Sequence, residues 1–194
     1  SLEVLLCHHA GLRVVCPTSP ARAYGLLLAA IRDPDPVIFL EPTRLYRMVK
    51  QDVVDDGIAL PLDRAEVLRE GDDVTLVTWG AMVHETRQAA DLLSQEGVSC
   101  EVIDLTSLSP IDHDTLLESV AHTGRLVIVH EAARNAGLGA EIAATVAEQA
   151  LYDLLAPIQR VTGYDTVMPY FSMERAYIPG VERIADAVRE TLKA

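Results

Sequence analysis

The chain has 194 residues, 49% hydrophobic and 23% charged, with a mean hydropathy of +0.18. That profile belongs to a globular chain with a sizeable core and excludes disorder, collagen and a coiled coil. Acidic residues outnumber basic ones 29 to 16, giving a net charge of −13 with two lysines, Lys50 and Lys193. This argues against coating nucleic acid or anionic lipid and suits a basic protein partner.

Taken in order, residues 11–16 predict a strand closed by Pro17. Ser19-Pro20 predicts a helix start, with Ser19 as N-cap, Pro20 at the first helical position and the apolar run 24–31 behind them. Asp33-Pro34-Asp35-Pro36 must end that helix. Residues 37–40 are fully apolar, as in a strand buried on both faces of a parallel sheet. Residues 41–64, with Pro42, Pro61 and an acidic run, predict an interdomain linker over the surface.

Beyond it, strand and helix alternate. Residues 65–69 suit an edge strand and 74–78 a strand; Gly80 leads into a helix with Met82, Thr86, Ala89 and Leu93 on one face, stopped by Gly97. Residues 100–104 form the next strand and 110–123 the next helix, with Asp112 as cap and Gly124 as stop. Residues 126–129 predict a strand buried on both faces. After Gly137-Leu-Gly139 a long helix should carry Leu138, Ile142, Val146, Ala150 and Leu154 in one stripe. A strand at 158–161 and a helix with Val181, Ile184, Val188 and Leu192 close the series. The pattern predicts an α/β fold of three αβα layers around a mostly parallel sheet.

Cys7, Cys16 and Cys100 are too few and scattered for a disulfide framework or a zinc motif, and Cys16 and Cys100 read as small core hydrophobes. No signal segment or membrane-length apolar run occurs, so the cytosol is the default compartment. His8-His9 resembles a metal pair, but adjacent side chains diverge, which favours a solvated or partner-facing pair. Ligands of open α/β sheets bind beyond the carboxyl ends of strands. That rule points to Trp79-Gly80-Ala81, to 104–107 and to His130-Glu131. Each has two readings: Gly80 as ligand contact or plain turn, Asp104 and Ser107 as ligands or capping groups, His130-Glu131 as an acid–base pair or a hydrogen-bonded loop histidine. Gly137-Leu-Gly139-Ala-Glu141 could offer backbone N–H groups to an anion, without the full dinucleotide fingerprint.

Longer blocks carry more. Gly11-Leu-Arg-Val-Val-Cys-Pro17, Gly25-Leu-Leu-Leu-Ala-Ala-Ile-Arg-Asp33 and Pro36-Val-Ile-Phe-Leu-Glu-Pro-Thr-Arg-Leu-Tyr-Arg47 are followed by Asp73-Val-Thr-Leu-Val-Thr-Trp-Gly80, Glu101-Val-Ile-Asp-Leu105, Val129-His-Glu-Ala132 and Ala156-Pro-Ile-Gln-Arg-Val-Thr-Gly163. In this order and spacing they resemble the β-subunit of the thiamine-diphosphate-dependent 2-oxo acid dehydrogenases, the decarboxylase component of the pyruvate and branched-chain complexes. The resemblance covers essentially the whole chain. It implies that residues 1–47 are the tail of a pyrimidine-binding α/β domain, 48–64 a linker, and 65–194 a transketolase-like C-terminal domain. The absent initiator methionine agrees with a piece of a longer chain.

By the same resemblance, the family's activating glutamate and catalytic histidine lie upstream of Ser1, and no residue here inherits a catalytic or cofactor-binding role. The diphosphate and magnesium would be held mainly by a separate α-subunit in an α2β2 assembly with a second β-subunit. The intact enzyme would decarboxylate a 2-oxo acid, pyruvate slightly preferred over branched-chain acids, and reductively acylate a lipoyl group, with this fragment inactive alone. The end of the first helix would supply oxygens to a potassium ion from Ala30, Ile31, Asp33 and Asp35. The C-terminal domain would dock the basic peripheral subunit-binding domain of the acyltransferase, with no nucleic acid or membrane involved, in the cytosol or a mitochondrial matrix. Two other readings are a non-catalytic α/β binding or assembly module, and another transketolase-like enzyme such as a deoxyxylulose synthase.

Overall fold

The computed structural model describes residues 2–194. The first unit contains α1 (Glu3–Cys7), β1 (Arg13–Val15), α2 (Pro20–Arg32), β2 (Val37–Phe39) and the short α3 (Leu45–Met48). Ser19 caps α2 as expected, its hydroxyl accepting from the Arg22 N–H at 3.4 Å, and the helix stops at Arg32 before Asp33-Pro34. β1 and β2 pair in parallel, Arg13 opposite Val37 and Val15 opposite Phe39. All three residues of β2 are half-buried rather than enclosed, because β2 is the edge of a three-stranded sheet.

The larger sheet has the order β3-β5-β4-β7-β8, with β3 at Glu66–Arg69, β4 at Val74–Thr78, β5 at Cys100–Asp104, β7 at Leu126–Ala133 and β8 at Gln159–Gly163. Only β3 runs antiparallel, along the β5 edge. The expected mostly parallel, three-layer architecture is therefore present. Facing one side are α4 (Met82–Gln95) and α8 (Val181–Thr191), which bury Met82, Leu93, Ile184 and Val188 against Leu76, Val102 and Val127. On the other side α5 (His113–Thr123) and α6 (Leu138–Gln149) bury Leu116, Val120, Ile142 and Val146 against Val77, Ile103 and Ile128. β4 and β5 are buried at every position, their polar residues Thr75, Thr78, Glu101 and Asp104 included, and the apolar run 126–129 that opens β7 is buried as predicted.

Two expectations are corrected here. The helix after Gly137 ends at Gln149; Leu151–Asp153 turn as a 3₁₀ helix, so Leu154 reaches the same core from outside the helix. The helix predicted from Pro110 begins at His113, after the Asp112 cap, because residues Ser107–Ser109 form a further strand, β6. β6 does not join the large sheet. It pairs antiparallel with β1, Val15 opposite Ser107, and so completes the small one. The short α7 (Glu174–Tyr177), entered from the 3₁₀ turn Phe171–Met173, also went unanticipated.

Alternation along β1 explains why the two sheets hold together. Val14 and Cys16 point into the core beneath α5 and α6, whereas Val15 points at Leu26 of α2 and at Leu62. The junction is polar as well: Cys16 N–H donates to the Thr106 carbonyl at 2.8 Å, and the Thr18 hydroxyl donates to Asp104 Oδ2 at 2.6 Å. Arg22 reaches across to Thr106 and ion-pairs with Glu66.

Candidate functional site

The carboxyl ends of β4 and β7 meet α1 and the 40–43 segment around a cavity of about 420 Å³, lined by Glu3, Cys16, Leu40, Glu41, Trp79, Gly80 and Glu131 among others. Gly80 belongs at this floor because its φ is +59° and a Cβ there would lie 3.1 Å from the Cys16 sulfur. Glu3 on α1 is 3% exposed. Burial raises its carboxyl pKa above the ordinary range and the Glu131 charge adds to that, while a hydrogen bond from Trp79 pulls the other way. Glu131 is raised too, again by burial, with Arg44 opposing and Glu85 and Glu174 reinforcing. Arg44 is held by Glu85 at 2.5 Å. The cleft thus gathers carboxyl groups biased toward their protonated form, able to donate as well as accept.

His130 and Glu131, neighbours on β7, leave the strand on opposite faces, so the pair suggested by the sequence is not one. The His130 ring is fully buried and stacks on Trp79, centroids 5.2 Å apart at 17°. Its opposite side meets the start of α6: a Cβ on Gly137 would come within 2.7 Å of Cε1, and one on Gly139 within 2.7 Å of Nε2. Burial pushes the His130 pKa down to about 4, with Arg160 adding to the effect and the Ala132 backbone partly offsetting it. The ring is neutral at neutral pH and serves as a wedge between indole and helix start. Gly137-Leu-Gly139, the candidate anion loop, has its glycines to admit that ring.

Asp104 resolves toward its capping reading. Fully buried, it accepts from Thr18 at 2.6 Å and from the Thr106 N–H at 3.0 Å, and burial raises its pKa to about 6 despite those bonds. The Ser107 hydroxyl donates to the Pro110 carbonyl at 2.7 Å. Cys16 and Cys100 are buried thiols with raised pKa, Cys100 to about 11, in keeping with the small-hydrophobe reading. His8 and His9 diverge, their ring centroids 6.5 Å apart.

At the far end of α2, Asp33 N–H closes the helix on the Ala29 carbonyl at 2.9 Å. The next carbonyls, those of Ala30 and Ile31, would look to residues 34 and 35. Pro34 has no N–H, and the Asp35 N–H instead donates to Asp33 Oδ1 at 2.9 Å. This leaves a turn rich in oxygen acceptors. The Arg13 guanidinium stands beside it, 3.4 Å from Asp33 and 4.0 Å from Asp35.

Residues 63–184 match the family "Transketolase, C-terminal domain", and residues 1–49 match "Transketolase, pyrimidine binding domain". The chain belongs to the transketolase family. Among named relatives within that family, the 2-oxoisovalerate dehydrogenase subunit beta 2, mitochondrial, of Arabidopsis thaliana is 49% identical over 99% of this chain and 53% of its own. The pyruvate dehydrogenase E1 component subunit beta of Bacillus subtilis is 43% identical over 100% of this chain and 59% of its own. A solved structure described as a split gene transketolase, inactive beta4 tetramer, superposes with a TM-score of 0.81 at 29% identity, over 98% of this chain and 60% of that one. The likeness to dehydrogenase β-subunits, expected from the sequence blocks, is therefore borne out. The transketolase-type chain spans a little over half the length of these relatives.

Proposed function

We propose that the chain is part of the β-subunit of a 2-oxo acid dehydrogenase decarboxylase component, working with thiamine diphosphate, a separate α-subunit and a second β-subunit. The observation that carries this is the end-to-end match to relatives so named, across both transketolase domains in order. The reading divides the chain into 1–47 from the pyrimidine-binding domain, a linker at 48–64 and a C-terminal domain at 65–194. Pyruvate is the first substrate to try. A branched-chain 2-oxo acid is the second reading, favoured by the 49% identity to the Arabidopsis 2-oxoisovalerate subunit.

Thiamine diphosphate, where bound, supplies the electron sink for decarboxylation. The cleft described above does not fit its diphosphate, because the acidic residues Glu3, Glu41 and Glu131 line it and, among the described residues, no basic residue does. Those phosphates and magnesium are assigned to the α-subunit, and residues 1–194 alone to binding and assembly without turnover. No helix among the described residues is long and apolar enough to cross a membrane. The net charge of −13 supports docking of a basic peripheral domain of the acyltransferase.

The turn after α2 fits a hard monovalent cation through the Ala30 and Ile31 carbonyls and the Asp33 and Asp35 carboxylates, with Arg13 as competitor for the carboxylates. Potassium should raise the melting temperature above that in an equal concentration of tetramethylammonium, and Asp33→Asn should abolish the difference. Equal melting temperatures would remove the site. For the enzyme, the chain is reconstituted within its β-subunit together with an α-subunit. Release of CO₂ from pyruvate or 3-methyl-2-oxobutanoate and acylation of a lipoyl domain are then followed, and kcat/KM ranks the two acids. No turnover with either acid would overturn the assignment.

A further inference from the structure

A second cavity, of about 790 Å³, opens where the 49–60 segment crosses from α2 to β3 and α4. Five hydrogen bonds lay this segment along α2, one of them from the Arg32 guanidinium to the Gly57 carbonyl at 3.2 Å. Gln51 Oε1 accepts from the Ala21 N–H at 3.3 Å, and the Tyr24 hydroxyl donates to Asp55 at 2.5 Å while accepting from the Gly57 N–H at 2.9 Å. The Leu60 N–H donates to the Gly25 carbonyl at 3.0 Å. The strap leaves Val53, Val54 and Ile58 on the cavity wall at 40%, 74% and 61% exposure, an apolar surface left open among the described residues.

The cavity also collects basic groups. Lys50 lines it from the strap, and His84 and Arg87 from successive turns of α4. Six arginines are ion-paired among the described residues, Arg44 with Glu85, Arg69 with Asp91 and Arg189 with Glu96 among them; Arg87 belongs with those that are not. Lys50 and Arg87 have no ion pair among the described residues, and the buried His84 Nε2 has no hydrogen-bond partner. Of the acids on the same wall, Glu66 is paired with Arg22, while Asp52 and Asp56 keep their charge, Asp56 as it accepts from the Ile58 N–H. Donors on two separate elements suit a group with several anionic oxygens, and the guanidinium fork matches phosphate geometry. The volume lies in the usual range for small-molecule sites.

We propose that this cavity is a binding site for an organic phosphate of nucleotide size. Its phosphate is held by Lys50, His84 and Arg87, and its apolar part lies against Val53, Val54 and Ile58. A bound molecule would tie the strap to α4 and so stiffen the joint between the two sheets. This site is separate from the acidic cleft and does not depend on the 2-oxo acid reading.

The probe is ADP, titrated calorimetrically into the full chain, with inorganic phosphate as a second arm and amide hydrogen exchange of residues 49–60 as a second readout. ADP should bind, slow that exchange, and exceed inorganic phosphate in affinity by at least roughly tenfold, since only ADP covers the apolar wall. Arg87→Ala and Lys50→Ala, both at exposed positions that leave the core intact, should each weaken ADP by about tenfold. Arg175→Ala, exposed and outside the cavity, should leave it unchanged. No ADP binding at millimolar concentration, equal affinity in the Lys50 and Arg87 variants, or phosphate binding as well as ADP would each overturn the proposal.

Discussion

The two sheets differ in how far each could stand by itself. In the larger one, β4 and β5 are buried at every residue, and β7 is enclosed over its first five. In the smaller one, β2 is half-buried throughout, and the buried cluster between sheet and α2 amounts to Val15, Leu26 and Leu62. Two of its three strands come from the first 40 residues, while β6 is lent by the C-terminal part of the chain. One long helix, two helices of four and five residues and two short strands bury too little surface to offset their chain entropy. The first unit is therefore held by what Val14, Cys16 and Thr18 reach across the junction, and the second largely by itself.

The largest test of that contrast is truncation within each sheet. Leu76→Ala, at a fully buried β4 position, should cost about 4 kcal/mol in denaturant unfolding, whereas Ile38→Ala on β2 should cost about 1 kcal/mol. Equal costs would mean that the small sheet is as tightly built as the large one.

The next effect depends on pH. The His130 pKa falls from 6.5 to about 4 on folding, so its contribution is complete above pH 6.5 and is lost as pH drops toward 4, where only the unfolded chain takes the proton. The stability gap between the parent and His130→Gln should therefore narrow by about 3 kcal/mol between pH 7 and pH 4. Asp104 has the opposite sign. Its pKa rises from 3.8 to about 6, so it favours the fold most below pH 3.8 and loses that advantage as pH climbs through 6. The two nearly cancel in the parent protein, and only the variant comparison separates them. A pH-independent His130→Gln gap would mean that the imidazole titrates normally.

Smaller effects locate the junction. Thr18→Ala removes a donor from the buried Asp104 carboxyl and should cost about 1–2 kcal/mol. Hydrogen exchange should quicken over residues 13–39 and stay unchanged in β4 and β5; a uniform increase would make the two sheets one cooperative unit. Asp112→Ala should cost about 1 kcal/mol, read from the thermal midpoint. It removes the α5 cap on the Thr115 N–H and the bond that Asp112 accepts from the Ala65 N–H at the end of the linker. No change in midpoint would show that cap and tether contribute nothing.

Features legible in the sequence were those whose cause is local. The Ser19 cap, the proline stop after Arg32, the left-handed Gly97 and Gly124, and the unbroken apolar run 126–129 that opens β7 each follow from a few neighbouring residues. β6 was missed because Ser107-Leu-Ser109 is strand only by virtue of β1, more than ninety residues earlier in the chain. The overlong α6 arose because Leu154 continues the helical period while reaching the same core through a 3₁₀ turn. In the candidate site, the strand ends could be singled out from the sequence, since that rule depends on topology. Glu3 was not, because α1 had no signal of its own and its carboxyl meets Trp79 and Glu131 only through the tertiary fold.

Composition, periodicity and caps determined an acidic αβα chain and its parallel core strands, and the longer sequence blocks carried the resemblance to its family. Tertiary structure decided which neighbours on a strand act together. It turned His130 inward and Glu131 toward the cleft, made the glycines before α6 a seat for an imidazole, and assigned β6 to the small sheet. A strand's alternation can be read from its residues, but which face meets a partner is set by chains distant in sequence. The physical reason is that burial, hydrogen bonding and protonation depend on what lies across a contact.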